Sequence, residues 1–546
     1  MKNITRHPLW SLVLLVLAGA VCAASGAPEA TDIGGRRELF VDDALVERIS
    51  GQAALRLHHP QPQDVAIVHD APWEGSGSGY HSLFQDGGLY RMYYKSWQID
   101  PLSEAGGKEK VKHDLFCAYA ESDDGIHWRK PVLGLVEFKG SKANNIVMAS
   151  GVVGKVDADA GHPAVFKDEN PAAPADARYK AILRSRQPRG LLAFKSPDGL
   201  HWSPLADAPI ITDGAFDSQN LAFWDGARQE YRAYWRIFTE GAGTGENWKP
   251  KGYRAIRTAT SKDFIHWENQ ADVRYVDSPP EHLYTNQVKP YYRAPHLLIG
   301  FPARYIERGH DAERAGAGVP AGSPAADAKR ISQWPPSLRS LPEREHREMR
   351  AAASERYGAA ITEGLLMASR DGVLFKRWNE AFLPPGPERP GTWNYGHQYI
   401  GWHMLETKSA LAGAPNEISL YAVESYWTDN SSALRRYTLR LDGFVSVQAP
   451  MAGGELVTRP IRFQGRQLAL NFSTSGAGSV RVEIQDAAGR PIPGFALADC
   501  PPVFGDAIDR PVRWTAGPGV GALAGQVVRL RFVLNDADLY AYQFQD

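Results

Sequence analysis

Ser122-Asp123-Asp124-Gly125-Ile126-His127-Trp128 is the first of four similar seven-residue segments in this chain. The other copies are Ser196-Pro197-Asp198-Gly199-Leu200-His201-Trp202, Ser261-Lys262-Asp263-Phe264-Ile265-His266-Trp267 and Ser369-Arg370-Asp371-Gly372-Val373-Leu374-Phe375. A weaker fifth copy is Leu441-Asp442-Gly443-Phe444-Val445. Asp-Gly between apolar runs predicts a tight β-hairpin, because glycine accepts the positive φ that such turns require.

The spacing of the copies predicts the fold class. The first three copies end in tryptophans that lie 74 and 65 residues apart, a length that suits one four-stranded antiparallel sheet per copy. Sheets repeated at this scale around an axis are the blades of a β-propeller. The sequence therefore predicts an all-β protein with a five-bladed propeller over residues 38–450, in which the motif tryptophans pack between blades.

The segments upstream of the hairpins indicate where a ligand binds. Each hairpin follows a tyrosine-rich second strand, and a more polar segment before that strand is predicted to line the central channel. These inner segments are 80–84, 162–166, 217–223, 282–287 and 395–399. Because core strands are rarely so polar, the channel is the predicted binding site.

Two further regions flank the repeats. Residues 306–362 interrupt the fourth blade with a segment rich in Ala, Arg, Glu and Pro, which is either a solvated excursion or a wall of the cleft. Residues 451–546 contain period-two strands separated by Gly and Pro, which predict a β-sandwich.

The first residues have the composition of a secretory signal, predicted over residues 1–27. Lys2 and Arg6 precede an apolar run from Leu9 to Ala20, and small residues after it offer cleavage sites at Ala23 or Ala27. That run is short for a bilayer span, so we expect a secreted or periplasmic protein that is not inserted in a membrane after cleavage. Cys117 and Cys500, in different predicted domains, are expected to remain separate thiols.

Composition excludes several classes of partner. Lys and Arg number 61 against 62 Asp and Glu, so neither nucleic acid nor an anionic membrane is expected as partner. The 15 Trp, 22 Tyr and 20 Phe suit all-β packing and sugar-stacking surfaces. The sequence contains no zinc-type spacing, no Gly-x-Ser-x-Gly elbow and no phosphate loop. We expect a monomer that needs no cofactor.

Two carboxylates are the strongest candidates for chemistry. Asp217 and Glu281 lie 64 residues apart, one blade repeat, and each opens an inner segment. Cleavage of a glycosidic bond needs a protonated acid and a second carboxylate across the ring. The alternatives for each residue are a turn or capping role, or a hydrogen bond between blades.

With its hairpins, export signal and C-terminal sandwich, the chain resembles the five-bladed propeller glycoside hydrolases of families 32, 43 and 117. The resemblance implies a carbohydrate substrate and three acidic groups from blades one, three and four. Asp217 is similar in position to the middle carboxylate, which tunes the acid or stabilises the transition state, and Glu281 to the general acid. Because some members of family 43 have a calcium ion in the channel, the resemblance also allows a structural calcium ion there.

The first-blade carboxylate is the least defined. The segment 80–84 has none, but Asp70 and Glu74 precede it, and we prefer Glu74 because it is closer and follows an aromatic residue. The predicted sugar contacts are Trp73, Tyr80, His162, Asn220, His282, Tyr284, Asn286, Trp393 and His397, although each histidine has the alternative of a structural hydrogen bond. The rival functions are a non-catalytic carbohydrate-binding propeller and a lyase, which would favour a basic channel that the sequence does not locate.

Overall fold

The computed structural model describes residues 30–100, 110–111, 113–242, 249–308, 334–353, 355–428, 431–515 and 519–546. The predicted signal segment, residues 1–27, lies outside this range. Five antiparallel sheets follow one another along the chain and form a five-bladed propeller, so the predicted fold class is confirmed.

Strands are numbered along the chain, and each blade is given from its inner strand outward. Blade 1 contains β6 (Gly79–Asp86), β7 (Leu89–Ser96), β10 (Phe116–Ser122) and β11 (Ile146–Ala149). Blade 2 contains β12 (Gly151–Val153), β13 (Val156–Lys167), β14 (Tyr179–Gln187), β15 (Gly190–Ser196) and β16 (Ser203–Pro204), with β12 paired to the inner strand β13. Blade 3 contains β17 (Leu221–Asp225), β18 (Glu230–Phe238), β19 (Arg254–Ser261) and β20 (Trp267–Asp272).

Blade 4 contains β22 (Lys289–Tyr291), β23 (Ala294–Gly300), β26 (Met367–Ser369), β27 (Leu374–Arg377) and β21 (Arg274–Val276), which runs parallel to β27. Blade 5 contains β28 (Leu405–Thr407), β29 (Glu417–Glu424), β30 (Ala433–Arg440) and β5 (Gln61–Val68). Two short ribbons pair β8 (Ile99–Asp100) with β9 (Lys110–Val111) and β24 (Ala303–Glu307) with β25 (Ala360–Gly364).

The ring is closed by the N-terminal part of the propeller. Strand β5 pairs with β30 as the outer strand of blade 5, and its Pro62 is tolerated because the strand is at the edge of the sheet. The fifth motif copy was therefore wrongly interpreted as a hairpin within blade 5. Its Asp442 turn instead connects β30 to β31 (Val445–Ala449) of the C-terminal sheet.

The C-terminal sheet has ten strands, four of which precede the propeller: β1 (Thr31–Gly34), β2 (Arg37–Leu39), β3 (Val46–Gly51) and β4 (Ala54–Leu57). The others are β31, β32 (Gly454–Thr458), β33 (Ile461–Phe463), β34 (Gln467–Asp486), β35 (Asp506–Pro511) and β36 (Val528–Gln545). The propeller strands thus begin at Gln61 rather than near residue 38. The sheet is compatible with the predicted sandwich, and its apolar faces share one core with blades 4 and 5.

The motif hairpins are held by their own side chains. Ser122 Oγ accepts the backbone N–H groups of Asp124 and Gly125 at 3.2 and 2.9 Å, and Asp124 Oδ1 accepts those of Ile126 and His127 at 2.8 Å each. These bonds supply the turn with the acceptors that its exposed amides need.

The motif aromatics pack mainly between blades, as predicted. The ring of Trp128 meets Tyr421 of blade 5 edge-on at 6.0 Å, and that of Trp202 meets Tyr93 of blade 1 at 6.2 Å. Trp267 differs, because it packs at 5.8 Å on Phe264 of its own hairpin.

The described part of the 306–362 insertion packs against the propeller. Its role as a wall of the cleft stays a prediction. It contains α1 (Pro336–Arg339), α2 (Arg344–Ala353) and α3 (Glu355–Ala359). From α2, the buried Arg347 donates to the carbonyl of Trp393 at 2.7 Å, and the buried Arg350 donates to that of Trp427 at 2.6 Å. These bonds fasten the helices to the loops at the mouth of blade 5.

Cys117 lies buried in blade 1 and Cys500 lies buried in the C-terminal sheet region, and both are free thiols. In the described residues, no helix is both long enough and apolar enough to cross a bilayer.

Candidate functional site

Two glutamines cross the channel at mid-depth and divide it. Gln287 of blade 4 donates from Nε2 to Gln219 Oε1 of blade 3 and to the carbonyl of Ile400, at 2.8 Å each. Gln219 in turn donates to the carbonyls of Tyr80 and Pro163 at 3.0 and 2.9 Å. Both side chains are buried, so these hydrogen bonds plug the channel between the side on which Asp217 lies and the other side. We call the Asp217 side of the channel the mouth.

Asp217 is the solvent-facing carboxylate in this mouth. Its side chain is 58% exposed, although Ser218, Gln219 and Asn220, which follow it, are buried. Asn220 holds the loop: its Nδ2 donates to the carbonyl of Ser218 at 2.8 Å, and its Oδ1 accepts the N–H of Arg236 at 3.1 Å. Asn220 thus positions Asp217 and is itself withdrawn from solvent.

Asp217 is kept ionised by its neighbours. His162 Nε2 lies 3.3 Å from Asp217 Oδ1, and Arg184 Nη1 lies 3.7 Å from the same atom. Desolvation opposes the charged form, but the hydrogen bond from His162 and the charges of Arg236 and Arg184 outweigh it and hold the pKa of Asp217 well below its usual range. Asp217 is therefore suited to act as a base, a nucleophile or a stabiliser of positive charge, not as an acid.

His162 lies between two carboxylates. Its Nδ1 is 3.0 Å from Asp159 Oδ2, while its Nε2 faces Asp217. Burial would lower the pKa of His162, but Asp159 and Asp217 outweigh that effect and raise it. Despite burial, His162 and Arg184 lower the pKa of Asp159 to about 2. The arrangement favours a protonated imidazole that presents an N–H to the mouth.

A cluster of buried tyrosines packs beside Asp217 and His162, with the rings of Tyr80 and His162 5.5 Å apart. Tyr80 stacks on Tyr399 with centroids 6.4 Å apart, Tyr399 on Tyr284 at 5.4 Å, and Tyr284 meets Tyr395 at 5.9 Å. Tyr80 adopts a φ of 53°, which is rare for residues other than glycine and costs roughly 1–3 kcal/mol. Strain of this kind concentrates at functional sites. We call Tyr80, Tyr284, Tyr395 and Tyr399 the tyrosine floor.

Glu281 does not share a contact with Asp217 in the described structure. Its Oε1 lies 3.1 Å from Arg304 and its Oε2 lies 2.8 Å from Arg377. Both carboxylate oxygens are thus held by guanidinium groups. The assignment of Glu281 as general acid stays a prediction, and it requires that a substrate displace one of these arginines.

Glu74 is sealed in a structural network. Its side chain is fully buried, with Oε2 2.5 Å from Lys130 Nζ and Oε1 accepting the hydroxyl of Tyr94 at 2.5 Å. Trp73 beside it donates to Asn145 at 2.7 Å. These contacts favour a role in holding blade 1 together over a role at the mouth.

The remaining predicted contacts divide similarly. Tyr80, His162 and Tyr284 meet around Asp217, as described above. His282 Nδ1 accepts the N–H of Arg254 at 3.1 Å, and Asn286 is buried beside Val288. His397 is fully buried and accepts the N–H of Trp393 at 3.1 Å; burial lowers its pKa to about 3. Asn286 and His397 thus support loops from within.

Sequence reasoning missed the charged residues of the mouth. Arg236 lies two residues before the end of the tyrosine-rich strand of blade 3, Lys95 lies one residue before the end of that of blade 1, and Tyr426 follows that of blade 5. Lys95 Nζ donates to Tyr426 Oη at 2.6 Å. The available signal was their shared position at one end of a second strand.

No group of three His, Cys, Asp or Glu side chains that could hold a metal ion occurs in the described ranges. The described residues thus offer no carboxylate- or histidine-rich cluster for the calcium ion that the family resemblance suggests.

No family model matches the sequence, and no curated protein matches it. Among solved structures, the chain resembles the catalytic domain of a Coprinopsis cinerea family 62 α-L-arabinofuranosidase, with 8% identity over 70% of this chain and 97% of that one, at a TM-score of 0.38. It also resembles a Bacillus subtilis family 43 arabinoxylan arabinofuranohydrolase, with 12% identity over 89% of this chain and 99% of that one, at a TM-score of 0.30. The chain also resembles an N-acetylgalactosamine deacetylase from F. plautii, with 13% identity over 71% of this chain and 95% of that one, at a TM-score of 0.39. Glycoside hydrolases are thus among the solved structures that the chain resembles.

Proposed function

We propose that this chain is an exported glycoside hydrolase that binds a poly- or oligosaccharide in the mouth on the Asp217 side of the propeller. The observation that carries the proposal is Asp217 itself: an exposed carboxylate, kept ionised, at the edge of the tyrosine floor. Aromatic faces bind sugar rings, and hydroxyl groups at their edges accept and donate hydrogen bonds.

The chemistry assigned to Asp217 follows from its charge. Glycosidic bond cleavage passes through a transition state with positive charge on the sugar ring. An ionised carboxylate beside that ring stabilises the charge, or activates water, or attacks the anomeric carbon. The spacing of the two reacting carboxylates decides between these outcomes.

Two residues compete for the role of general acid. Glu281 is the acid that the sequence predicts, but both of its oxygens are held by arginines. His162 presents Nε2 to Asp217, and its raised pKa keeps it protonated closer to neutral pH. Either residue would contribute about 10²- to 10⁴-fold to the rate.

A non-catalytic carbohydrate-binding propeller is the second candidate. The observation that favours it is that Glu74 is sealed and Glu281 is doubly ion-paired, which leaves Asp217 as the one of the three predicted carboxylates that is free to face a ligand.

A release assay on a panel of polysaccharides and aryl glycosides distinguishes the candidates. We expect turnover by the wild type and a loss of turnover on both substrate types in Asp217→Asn. Asp213→Asn is the matched control, because Asp213 is also an exposed carboxylate in the same loop but pairs with Arg257. If the wild type binds a glycan of the panel but turns over none of them, the protein is a non-catalytic carbohydrate-binding propeller and not a hydrolase.

The acid is identified in the same assay. The variant that lacks the acid, Glu281→Gln or His162→Gln, should lose turnover on unactivated glycans and keep more of it on aryl glycosides, whose good leaving groups need little protonation. Near-normal rates in both variants would exclude both assignments.

A further inference from the structure

Four cationic side chains from three blades surround the tyrosine floor. Lys95 Nζ lies 4.6 Å from the centre of the Tyr80 ring, and Arg236 Cζ lies 5.0 Å from that of Tyr284. On the far side, Arg254 Cζ lies 4.4 Å from the ring of Tyr305 and 5.6 Å from that of Tyr284. From helix α3, Arg356 Cζ lies 5.8 Å from the ring of Tyr395.

The arginines of this set have few negative partners. Among the described residues, no ion pair within 4.0 Å involves Arg236, Arg254 or Arg356. By contrast, Arg304 pairs with both Glu281 and Glu363. The chain as a whole has a formal charge of −1, so an excess of positive charge is not a general property of it.

The contacts of these arginines differ. Arg236 Nε donates to the carbonyl of Ala215 at 3.0 Å and feels the charge of Asp217, and Arg356 donates to the hydroxyl of Tyr357 at 2.8 Å. Arg254 has mainly its ring contacts. Contact with an aromatic face contributes about 0.5–2 kcal/mol, less than the several kcal/mol that withdrawing an ion from water costs. In addition, Arg254 Nε is buried without an acceptor among the described residues. An anion in the mouth would supply both the missing charge and the missing acceptor.

We propose that the glycan bound in this mouth is anionic, with a uronate carboxylate or a sulfate ester held by Arg254 and Arg356 above the tyrosine floor. This proposal rests on the proposed function in one respect, that the mouth is the site where the glycan binds. Guanidinium groups match the planar carboxylate and the sulfate oxygens through paired N–H donors. The substrate class therefore differs from neutral arabinan- or xylan-type glycans.

The test measures binding and turnover with matched probes. Oligosaccharides from a uronic acid polysaccharide are compared with their carboxyl-reduced, neutral forms, and those from a sulfated galactan with their desulfated forms. We expect the acidic form of one pair to bind at least about tenfold more tightly than its neutral form, as expected for hydrogen bonds to a charged group, and the difference to shrink as salt is raised. Equal affinity within both pairs overturns the proposal.

Variants assign the effect to the arginines. Arg254→Gln should weaken binding of the acidic probe about ten- to a hundredfold and leave the neutral probe unchanged. Arg129→Gln removes one positive charge from an exposed ion pair with Glu121 and Asp123, and it should change neither. If Arg254→Gln does not fold, Arg356→Gln is measured in its place. An unchanged preference for the acidic probe in a folded variant overturns the assignment.

The products separate this proposal from the proposed function. If only the neutral probes are hydrolysed, the proposed hydrolase activity is supported and the proposal of an anionic substrate is wrong. If an acidic probe is bound but not cleaved, the anionic ligand is supported and the proposed hydrolase activity is wrong. Products carrying the C4–C5 double bond of an eliminated uronate would show a lyase, which keeps the anionic substrate and replaces hydrolysis.

Discussion

The hydroxyl of Tyr234 in blade 3 donates a hydrogen bond to the carbonyl oxygen of Gly372 in the hairpin of blade 4, at 2.9 Å. The same relationship joins Tyr93 of blade 1 to Gly199 of blade 2 at 3.0 Å, and Tyr421 of blade 5 to Gly125 of blade 1. A tyrosine on the second strand of one blade therefore anchors the motif hairpin of the next, including across the closure of the ring.

This relationship explains why glycine occupies the turn. Gly372 has a φ of 82°, and an added Cβ would lie 2.9 Å from Tyr234 Oη and 2.5 Å from Arg232 Nη1. Gly386 has a φ of 71° but open space around it. We expect Gly386→Ala to cost only the backbone strain, about 1–2 kcal/mol, and Gly372→Ala to lower the free energy of unfolding by more.

Chemical denaturation of the two variants measures this difference. Equal losses would show that the backbone conformation alone selects glycine. Tyr234→Phe should cost about 1 kcal/mol, the net contribution of one hydrogen bond.

Asp442 joins the propeller to the C-terminal sheet. This buried carboxylate lies 3.1 Å from Arg37 and 2.9 Å from Arg293, and it accepts the hydroxyl of Tyr291 at 2.7 Å. Removing it leaves Arg37 buried without this partner, so Asp442→Ala should lower the free energy of unfolding by about 3–5 kcal/mol.

The control for Asp442→Ala is Asp506→Ala, which breaks a pair between Arg440 and a carboxylate that is 66% exposed. An exposed pair contributes about 0–1 kcal/mol. Similar losses in the two variants, measured by denaturant unfolding, would contradict the role assigned to Asp442.

His397 makes the fold sensitive to acid. Burial lowers its pKa from 6.5 to about 3, so the folded state binds its proton less readily than the unfolded state. Its contribution to stability is thus complete above about pH 6.5 and is lost progressively as the pH falls toward 3.

Unfolding free energies measured across this range should fall less steeply for His397→Gln than for the wild type. Parallel curves would exclude His397 as a source of the acid sensitivity. His69, whose pKa burial lowers to about 4, contributes in the same direction and remains in both proteins.

The two cysteines should not affect stability through a bridge. Cys117 and Cys500 are free and buried in separate parts of the molecule. The melting temperature should therefore be the same with and without dithiothreitol. A clear decrease under reducing conditions would show that a disulfide stabilises the isolated protein.

The sequence predicted the blades because each hairpin motif is local: Ser122 and Asp124 bond to amides within a few residues. It missed the closure by β5, since this pairing joins residues more than 360 apart and Gln61–Val68 contains no motif. For the same reason the predicted propeller included residues 38–57, which contain β3, β4 and most of β2 of the C-terminal sheet.

The candidate site was predicted only in part. Asp217 and Tyr80 were found because the inner segments recur with the blades. Glu281 has the same spacing, but Arg304 and Arg377, which hold it, come from later parts of blade 4 whose approach no local pattern reveals. The basic mouth was missed because its cations are scattered from Lys95 to Arg356.

The central claim is that the mouth beside Asp217 is the glycan site. The most direct measurement is the crystal structure of Asp217→Asn soaked with the best-bound oligosaccharide of the panel. The account predicts a sugar ring on the tyrosine floor, within hydrogen-bonding distance of the side chain at position 217. Density for the sugar in the cavity of about 510 Å³ beside Lys289 and His403, on the other side of the glutamine plug, with the mouth empty, would contradict this assignment of the glycan site.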